Sequence, residues 1–232
     1  KTSSLTYPDT LSALISDVFA CAGFAVEYIF DAAYGSLSIP TAPDFNGASC
    51  RQVLRHAAQM VNGSIQQTRD MKIRCVANLI TENAAESGLF KTPVLSIGPG
   101  AYFGGLKTTD NAGGPTRVRV KYGTGDSLEA MKNDATEETK NGIQEQTISG
   151  NPIAAVFTSA SAQHFKDLAW SVLKYHGYHR KWANMPWRGD PALETGDFVT
   201  ITLRDGTTKT ARMAKQTMSF EGGLRVTSAL RY

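Results

Sequence analysis

The sequence predicts an α+β fold, with a small antiparallel β-barrel beside an α/β unit in which amphipathic helices pack on short sheets. Three observations predict it. Apolar stripes of helical period dominate the first part of the chain, two-residue alternation dominates the end, and turn residues separate the alternating runs. The 232 residues are 41% hydrophobic and 19% charged, which suits a folded core and excludes a disordered chain or a coiled coil.

Apolar residues that recur three, four and seven positions apart predict three helices. The first runs from Leu11 to Ala22 and ends at Gly23. The second runs from Cys50 to Val61, where Ser49 is a suitable N-cap and Asn62-Gly63 a suitable stop. The third covers residues 161–175 and ends before Gly177.

Short strand-like segments surround the first two helices. They are Ala25–Phe30, Gly35–Ile39, Ser64–Gln67 and Met71–Val76. In the last segment apolar and basic residues alternate, which is typical of a half-buried strand, and residues 68–70 supply a turn before it. Residues 1–85 are therefore predicted to form an α/β helix-hairpin domain.

Residues 86–232 are predicted to form a β-barrel-like domain, interrupted by a polar arm over about 123–150 and by the third helix. Arg117–Tyr122 alternates valine with basic residues and predicts one strand with a basic outer face. The glycine-rich segment 98–115 is expected to be a loop. Long alternating strands and tight turns fill residues 178–232, and strands of this length favour closure into a small barrel.

Charge and hydropathy favour neither a nucleic acid nor a membrane as a partner. The net charge of +3 is the difference between 24 basic and 21 acidic residues, and the basic stretches are short, so specific nucleic-acid binding is not expected. The longest apolar run, residues 18–26, is far shorter than the ~20 residues that span a bilayer.

Because the chain opens with Lys1 and no apolar signal core, we expect it to begin after processing or inside a longer polypeptide.

The three cysteines, Cys21, Cys50 and Cys75, contain no C-x-x-C pair. Their spacing therefore matches neither a zinc site nor a redox motif. Cys50 and Cys75 occupy positions on apolar faces, which predicts buried free thiols and folding in a reducing compartment.

No constellation in the sequence predicts chemistry, so we expect no catalytic, cofactor-binding or metal-binding residue and no enzyme. The pair His176 and His179 is interrupted by the helix-ending Gly177, and His56 and His164 are expected to be solvated. Neither a G-x-S-x-G signature nor a phosphate-binding loop occurs. Carboxylate pairs such as Glu137 with Glu138 or Asp190 with Glu194 can be made from almost any sequence, so they are not evidence of glycoside hydrolysis.

The tryptophans Trp182 and Trp187 flank Pro186 on an extended segment. Such a pair can form a sugar-stacking platform, although core packing or a protein interface is the commoner use of tryptophan. A carbohydrate-binding module therefore stays an alternative.

Two segments carry patterns that point to one protein family. The first is ASCRQVLRHAAQMVNGSIQQTRDMKIR, residues 48–74, a helix that runs into a hairpin. The second, residues 187–232, carries the pattern G-D-P-x-L-x-x-G-D followed by F-x-G-G-L. Its matching residues are Gly189, Asp190, Pro191, Leu193, Gly196, Asp197, Phe220, Gly222, Gly223 and Leu224. Both segments resemble the baseplate hub, or tail-tip, proteins of long-tailed bacteriophages and prophages. Met71 departs from the family pattern, which has glycine in that turn, and residues 123–150 have no counterpart in it.

This resemblance implies a structural role without catalysis. It implies a homotrimeric hub in the full-length protein that joins the tail tube to the tip and contacts tube and distal tail proteins. DNA would pass through the lumen only as cargo, and the protein would assemble in the bacterial cytoplasm into the virion tail. The alternative function is a cell-wall hydrolase or the carbohydrate-binding module of a tail tip.

Overall fold

A computed structural model describes residues 5–85, 88, 91–104, 107–110, 114–178, 181–220 and 224–231. Its elements, in chain order, are β1 (Asp9–Thr10), α1 (Leu11–Cys21), β2 (Tyr28–Phe30), α2 (Ala32–Ser36), β3 (Ser38–Ile39), α3 (Cys50–Gln59), β4 (Ser64–Gln67), β5 (Ile73–Val76), β6 (Leu95–Ile97), β7 (Lys107–Asp110), β8 (Arg117–Tyr122), β9 (Leu128–Asn133), α4 (Ala135–Asn141), β10 (Glu145–Ile148), α5 (Pro152–Ala155), α6 (Ala162–Tyr178), β11 (Lys181–Trp187), β12 (Phe198–Thr202), β13 (Thr208–Phe220) and β14 (Leu224–Arg231). The α+β class is confirmed.

Local sequence signals set the ends of the main helices. Thr10 caps α1 by accepting a hydrogen bond from the Ala13 amide. At α3, Ser49 and Gln52 form a capping box, as the sequence predicts for Ser49. The predicted stop at Asn62-Gly63 is confirmed, since the Gly63 amide bonds the Ala58 carbonyl at 2.8 Å.

The chain divides into two compact units. Unit 1 comprises Lys1–Ala84 and Pro115–Lys174, and unit 2 comprises Ala85–Gly114 and Tyr175–Tyr232. The predicted division into 1–85 and 86–232 differs from this one in the segment 115–174, which packs into unit 1. The apolar side chains of this segment share one core with those of α1 and α3. Each piece of chain needs the other to cover its apolar face.

Unit 1 contains three small sheets. In the first, β5 lies between parallel β2 and antiparallel β4. In the second, β8 lies between parallel β10 and antiparallel β9, and β1 pairs with β3 in a third. Tyr122 of β8 stacks on Phe165 of α6 with ring centroids 4.0 Å apart, which joins the second sheet to the core.

The prediction of a polar arm over about 123–150 is wrong. This segment contains β9, α4 and β10, and two of these are strands paired with β8. Its buried side chains are few, chiefly Ala130 and Ile148, because only one face of the sheet meets the core. The other face is polar, which is why the sequence resembles a solvated arm.

Other elements also differ from prediction. Residues 35–36 belong to the short helix α2, so the strand predicted over 35–39 reduces to β3. The expected loop 98–115 contains strand β7, which pairs with β11. Helix α6 continues past Gly177 to Tyr178. Cys50 is exposed, because it occupies the first turn of α3, whereas Cys75 is buried as predicted.

Over its described residues, unit 2 forms one six-stranded sheet in the order β6-β12-β13-β14-β11-β7. The neighbouring pairs β12–β13, β13–β14 and β14–β11 are antiparallel. β6 pairs in parallel with β12. Its core includes the fully buried Val199, Met213 and Leu230. Among the residues that the structure describes, no pairing joins the edge strands β6 and β7, so the predicted closure into a barrel is not observed there.

Within the described ranges, no helix combines the length and the apolar character that crossing a membrane requires.

Candidate interaction surfaces

The histidines and cysteines of the described residues form no metal-binding cluster. The described parts of the chain hold no group of three or more His, Cys, Asp or Glu side chains arranged for a metal ion. His176 lies in the last turn of α6, and His179 falls outside the described residues. The three cysteines are free thiols, and burial raises the pKa of Cys75 to about 12, which makes that thiol unreactive.

The expectation that His56 and His164 are solvated is wrong for His164. Its Nε2 lies 3.0 Å from the Met60 carbonyl oxygen and donates to it, and burial lowers the pKa of the ring. The imidazole is therefore a neutral side chain that joins α6 to the end of α3. His56 is half-buried on α3, and burial also lowers its pKa.

The close carboxylates build local structure. Glu138 pairs with Arg117, while Glu137 pairs with Lys140 and accepts from the Asn141 amide group. The Asp190 carboxylate accepts from the Ala192 amide at 2.8 Å and shapes the turn that the G-D-P pattern predicts. The carboxylates of Glu137, Glu138 and Asp190 thus bond partners that belong to their own local structure.

Trp187 is a core residue. Its side chain is 4% exposed, and its indole nitrogen donates to the Ser228 hydroxyl at 2.9 Å. The Trp182 side chain lies outside the described residues. Because the Trp187 ring is buried, it offers no face for stacking a sugar.

The predicted basic face of β8 is present, and acidic side chains neutralise it. We name this group of paired charges the ionic lattice; it comprises Arg117, Arg119, Glu129, Glu138 and Glu145. Arg119 bonds two carboxylates from the two neighbouring strands, Glu129 at 2.8 Å and Glu145 at 2.9 Å. The pairing Glu145↔Arg117 and Lys121↔Glu129 across the sheet places these charges on one face. This arrangement ties β9, β8 and β10 together, and carboxylates pair with both arginines of β8.

Two carboxylates of the ionic lattice, Glu138 and Glu145, have lowered pKa values. A hydrogen bond from Arg119 holds the pKa of Glu145 below its usual range. The Asn133 amide group, followed by Arg117, does the same for the pKa of Glu138. Sequence alternation could identify the arginines but not these partners, because the partners come from segments that the strand pairing brings together.

The glycine-rich loop 98–104 is fastened to β11. The Phe103 amide donates to the Pro186 carbonyl at 2.8 Å, and the Arg188 amide donates to the Ala101 carbonyl at 3.1 Å. Tyr102 is buried, whereas Phe103 is 53% exposed. The loop therefore presents an aromatic side chain from a fixed backbone.

The β13–β14 hairpin extends beyond β12, whereas on its other side β11 pairs with β14 as far as Val226. β12 pairs with β13 only over Thr208–Arg212, while β14 pairs with it as far as Phe220. Met218 and Phe220 lie two residues apart on one face of this extension and are 37% and 78% exposed. Met218 stands opposite the buried Val226, so the core face of the sheet continues into solvent as an apolar surface.

Sequence reasoning missed the polar residues that join the two chain segments of unit 1. Asn151 is 3% exposed, and its amide group donates to the His56 carbonyl and to Gln59, both at 3.0 Å. The Ser171 hydroxyl donates to the Ile80 carbonyl and accepts from the Ile80 amide. The Asn-Pro pair before α5 was the one available signal, since asparagine is a preferred N-cap.

Comparison with known proteins identifies the fold. No protein-family model matches the sequence, and no curated protein matches it either. A tail protein from Neisseria meningitidis matches 99% of this chain with 69% of its own length, at 12% identity and a TM-score of 0.63. A 43 kDa tail protein of prophage MuSo2 from Shewanella oneidensis matches 97% with 66% of its length, at 13% identity and a TM-score of 0.58.

A protein in the virion of a native gene transfer agent particle is also similar. It matches 96% of this chain at 16% identity and a TM-score of 0.58, and the match covers 47% of that protein. This chain thus spans about half to two thirds of the length of these proteins. The likeness that residues 48–74 and 187–232 indicate is confirmed at the level of the fold: this chain has the fold of phage and prophage tail proteins.

Proposed function

We propose that the chain is a structural component of a phage or prophage tail, acting as part of a baseplate hub that links the tail tube to the tip. The observation that carries this proposal is the structural likeness, which extends over 96% to 99% of the chain in three tail or particle proteins. A likeness over both units fits a shared scaffold better than a small module borrowed by unrelated proteins.

The surfaces of the chain support a role in assembly. Phe220 and Phe103 are exposed by 78% and 53%, and each is carried by a backbone that the sheet of unit 2 holds in place. Large exposed aromatic side chains are typical of protein interfaces. We propose that the complete protein forms a homotrimer and contacts tail tube and distal tail proteins, with DNA passing only as cargo.

The proposed role includes no catalytic step. The carboxylates of Glu137, Glu138 and Asp190 bond structural partners, as does the ring of His164. These contacts favour scaffolding over a cell-wall hydrolase. A zymogram on peptidoglycan tests this directly, because clearing by the purified chain would contradict the proposal. The virion tail, assembled in the bacterial cytoplasm, is the location that we propose.

Light scattering of the complete protein tests the assembly. We expect a trimer at micromolar concentration, and a monomer at every concentration tested would contradict the hub. Two matched variants locate the contact: Phe220→Asp in unit 2 and Phe24→Asp in unit 1, since Phe24 is 62% exposed. Loss of the trimer in Phe220→Asp alone assigns the contact to the β13–β14 hairpin, and loss in Phe24→Asp alone assigns it to unit 1.

Immunogold labelling of purified particles tests the location. An antibody against the chain should mark one end of the tail. Labelling along the tail shaft, or on the capsid, would contradict a tip component.

A further inference from the structure

Three Asn-Gly dipeptides occur in the chain: Asn46-Gly47, Asn62-Gly63 and Asn141-Gly142. Glycine has no side chain to hinder its own backbone nitrogen. That nitrogen can attack the Cγ atom of the preceding asparagine, forming an N–C bond while the side-chain nitrogen leaves as ammonia. Water then opens the succinimide ring at either carbonyl and yields aspartate or isoaspartate. The reaction needs water alone, so the local structure decides which dipeptide reacts.

Two of the dipeptides are held by the ends of helices. The Gly63 amide donates to the Ala58 carbonyl at 2.8 Å, and a Cβ atom at Gly63 would lie 2.4 Å from the Val76 carbonyl oxygen. This turn is therefore closely packed. The attacking nitrogen of Gly63 is engaged, and the surrounding backbone leaves little room for a ring to form.

The second held dipeptide ends α4. The Gly142 amide donates to the Glu138 carbonyl at 2.9 Å. The Asn141 side-chain nitrogen, which is the leaving group, donates to Glu137 at 3.0 Å. Both reacting groups are thus engaged in hydrogen bonds that must break before ring closure.

Asn46-Gly47 differs from both. Its two residues are exposed and lie in the connection between β3 and α3. Among the described residues, no hydrogen bond engages the Gly47 amide or the Asn46 side chain. A Cβ atom added at Gly47 would meet nothing within 4 Å. The attacking and leaving groups are both free, and there is space for the ring.

We infer that Asn46 is the deamidation site of the folded chain, and that the fold protects Asn62 and Asn141. This modification goes beyond the proposed role in the tail. It converts a neutral turn into one that carries an additional negative charge, and the isoaspartate product adds a methylene group to the backbone.

The position of the turn gives the modification a structural effect. The Ala48 amide donates to the Phe45 carbonyl at 2.8 Å across the dipeptide, and both residues pack against the core of unit 1. A longer backbone between them weakens this hydrogen bond and the packing of Phe45. The aged protein should therefore unfold at a lower temperature than the fresh protein.

Peptide mass spectrometry on protein incubated at 37 °C and mildly alkaline pH tests the inference. We expect Asn46 to deamidate at least about tenfold faster than Asn62 and Asn141, because each protecting hydrogen bond must first open. The same incubation in concentrated urea is the control, and there the three rates should converge. Equal rates in the folded chain, or the same inequality in urea, would overturn the inference.

Asn46→Gln separates the chemical effect from general ageing. Glutamine closes the corresponding ring much more slowly, so this variant should keep its melting temperature during the incubation while the wild type loses some. A wild type that deamidates at Asn46 without any change in melting temperature would refute the structural effect and leave the site itself established.

Discussion

Gly63 shows how one residue without a side chain can set the packing of several elements. A Cβ atom there would approach the Val76 carbonyl oxygen to 2.4 Å and the Tyr34 hydroxyl to 2.5 Å. Both contacts are shorter than packed atoms tolerate, and one of them is with backbone that cannot turn away. Gly63 thus allows α3, β5 and α2 to meet.

We predict that Gly63→Ala lowers the free energy of unfolding by about 1–3 kcal/mol, the usual effect of an overpacked core position. Gly35→Ala is the matched control, because a Cβ atom there meets nothing within 4 Å in α2. Alanine also favours a helix, so the control should be neutral or stabilising by up to about 1 kcal/mol. Urea titration of both variants measures the difference, and equal stability would contradict the close packing.

Asn151 is the polar counterpart at the same scale. Besides bonding α3, its side-chain oxygen accepts from the Ile153 amide at 2.9 Å and caps α5. We predict that Asn151→Ala costs about 1–3 kcal/mol of stability, since buried partners lose their hydrogen bonds. Asn133→Ala, at an exposed position that also donates to a carboxylate, should cost less in the same titration.

At the scale of elements, the sheet β10–β8–β9 depends on the charges of the ionic lattice. The pKa values of Glu138 and Glu145 are lowered in the folded chain from 4.5, so the unfolded chain binds more protons as the solution is acidified. Stability from these groups is complete above the unfolded pKa and is lost as pH falls through the lower, folded pKa. Acid therefore weakens this sheet.

We predict that Arg119→Met reduces this acid sensitivity, because Arg119 is the main cause of the lowered pKa of Glu145. The difference in urea midpoint between about pH 6 and pH 3 should be smaller in the variant than in the wild type. Lys215→Met, at an exposed position of β13, is the control and should keep the wild-type difference. An unchanged difference in Arg119→Met would show that the lattice does not contribute.

The elements that the sequence predicts well are those with an apolar period that the core uses along its whole length. β8 and β4 match the predicted bounds, and α1 and α3 match within a few residues. The strands within 128–148 were not predicted, for a physical reason. They bury one narrow face, and their charged side chains find partners only after the sheet forms. The same reason hides the ionic lattice, since its pairs join residues far apart in sequence.

At the scale of the whole molecule, unit 1 is built from two separated pieces of chain. Val118, Val120 and Phe165 from the second piece are at most 1% exposed and belong to the same core as Leu11 and Ile15 from the first. Residues 1–85 alone would leave the apolar faces of α1 and α3 partly uncovered. The composition of the core therefore makes residue 85 unsuitable as a point of truncation.

We predict that a fragment of residues 1–85 lacks a cooperative unfolding transition, whereas residues 1–178 unfold cooperatively. The longer fragment retains all of α6 and the strands β8 to β10, and so completes the core of unit 1. Circular dichroism during urea titration distinguishes them. A cooperative transition in the shorter fragment would contradict the shared core.

The interleaving of the two units also dictates an order of events on the ribosome. β6 is synthesised early, yet it pairs with β12, where Val199 stands opposite Leu95. β12 is synthesised much later. Throughout most of translation β6 has no partner, and unit 1 can close only after α6 has been synthesised. A nascent chain of this kind exposes apolar segments for a long interval, so its yield should respond strongly to chaperones that bind unfinished polypeptides.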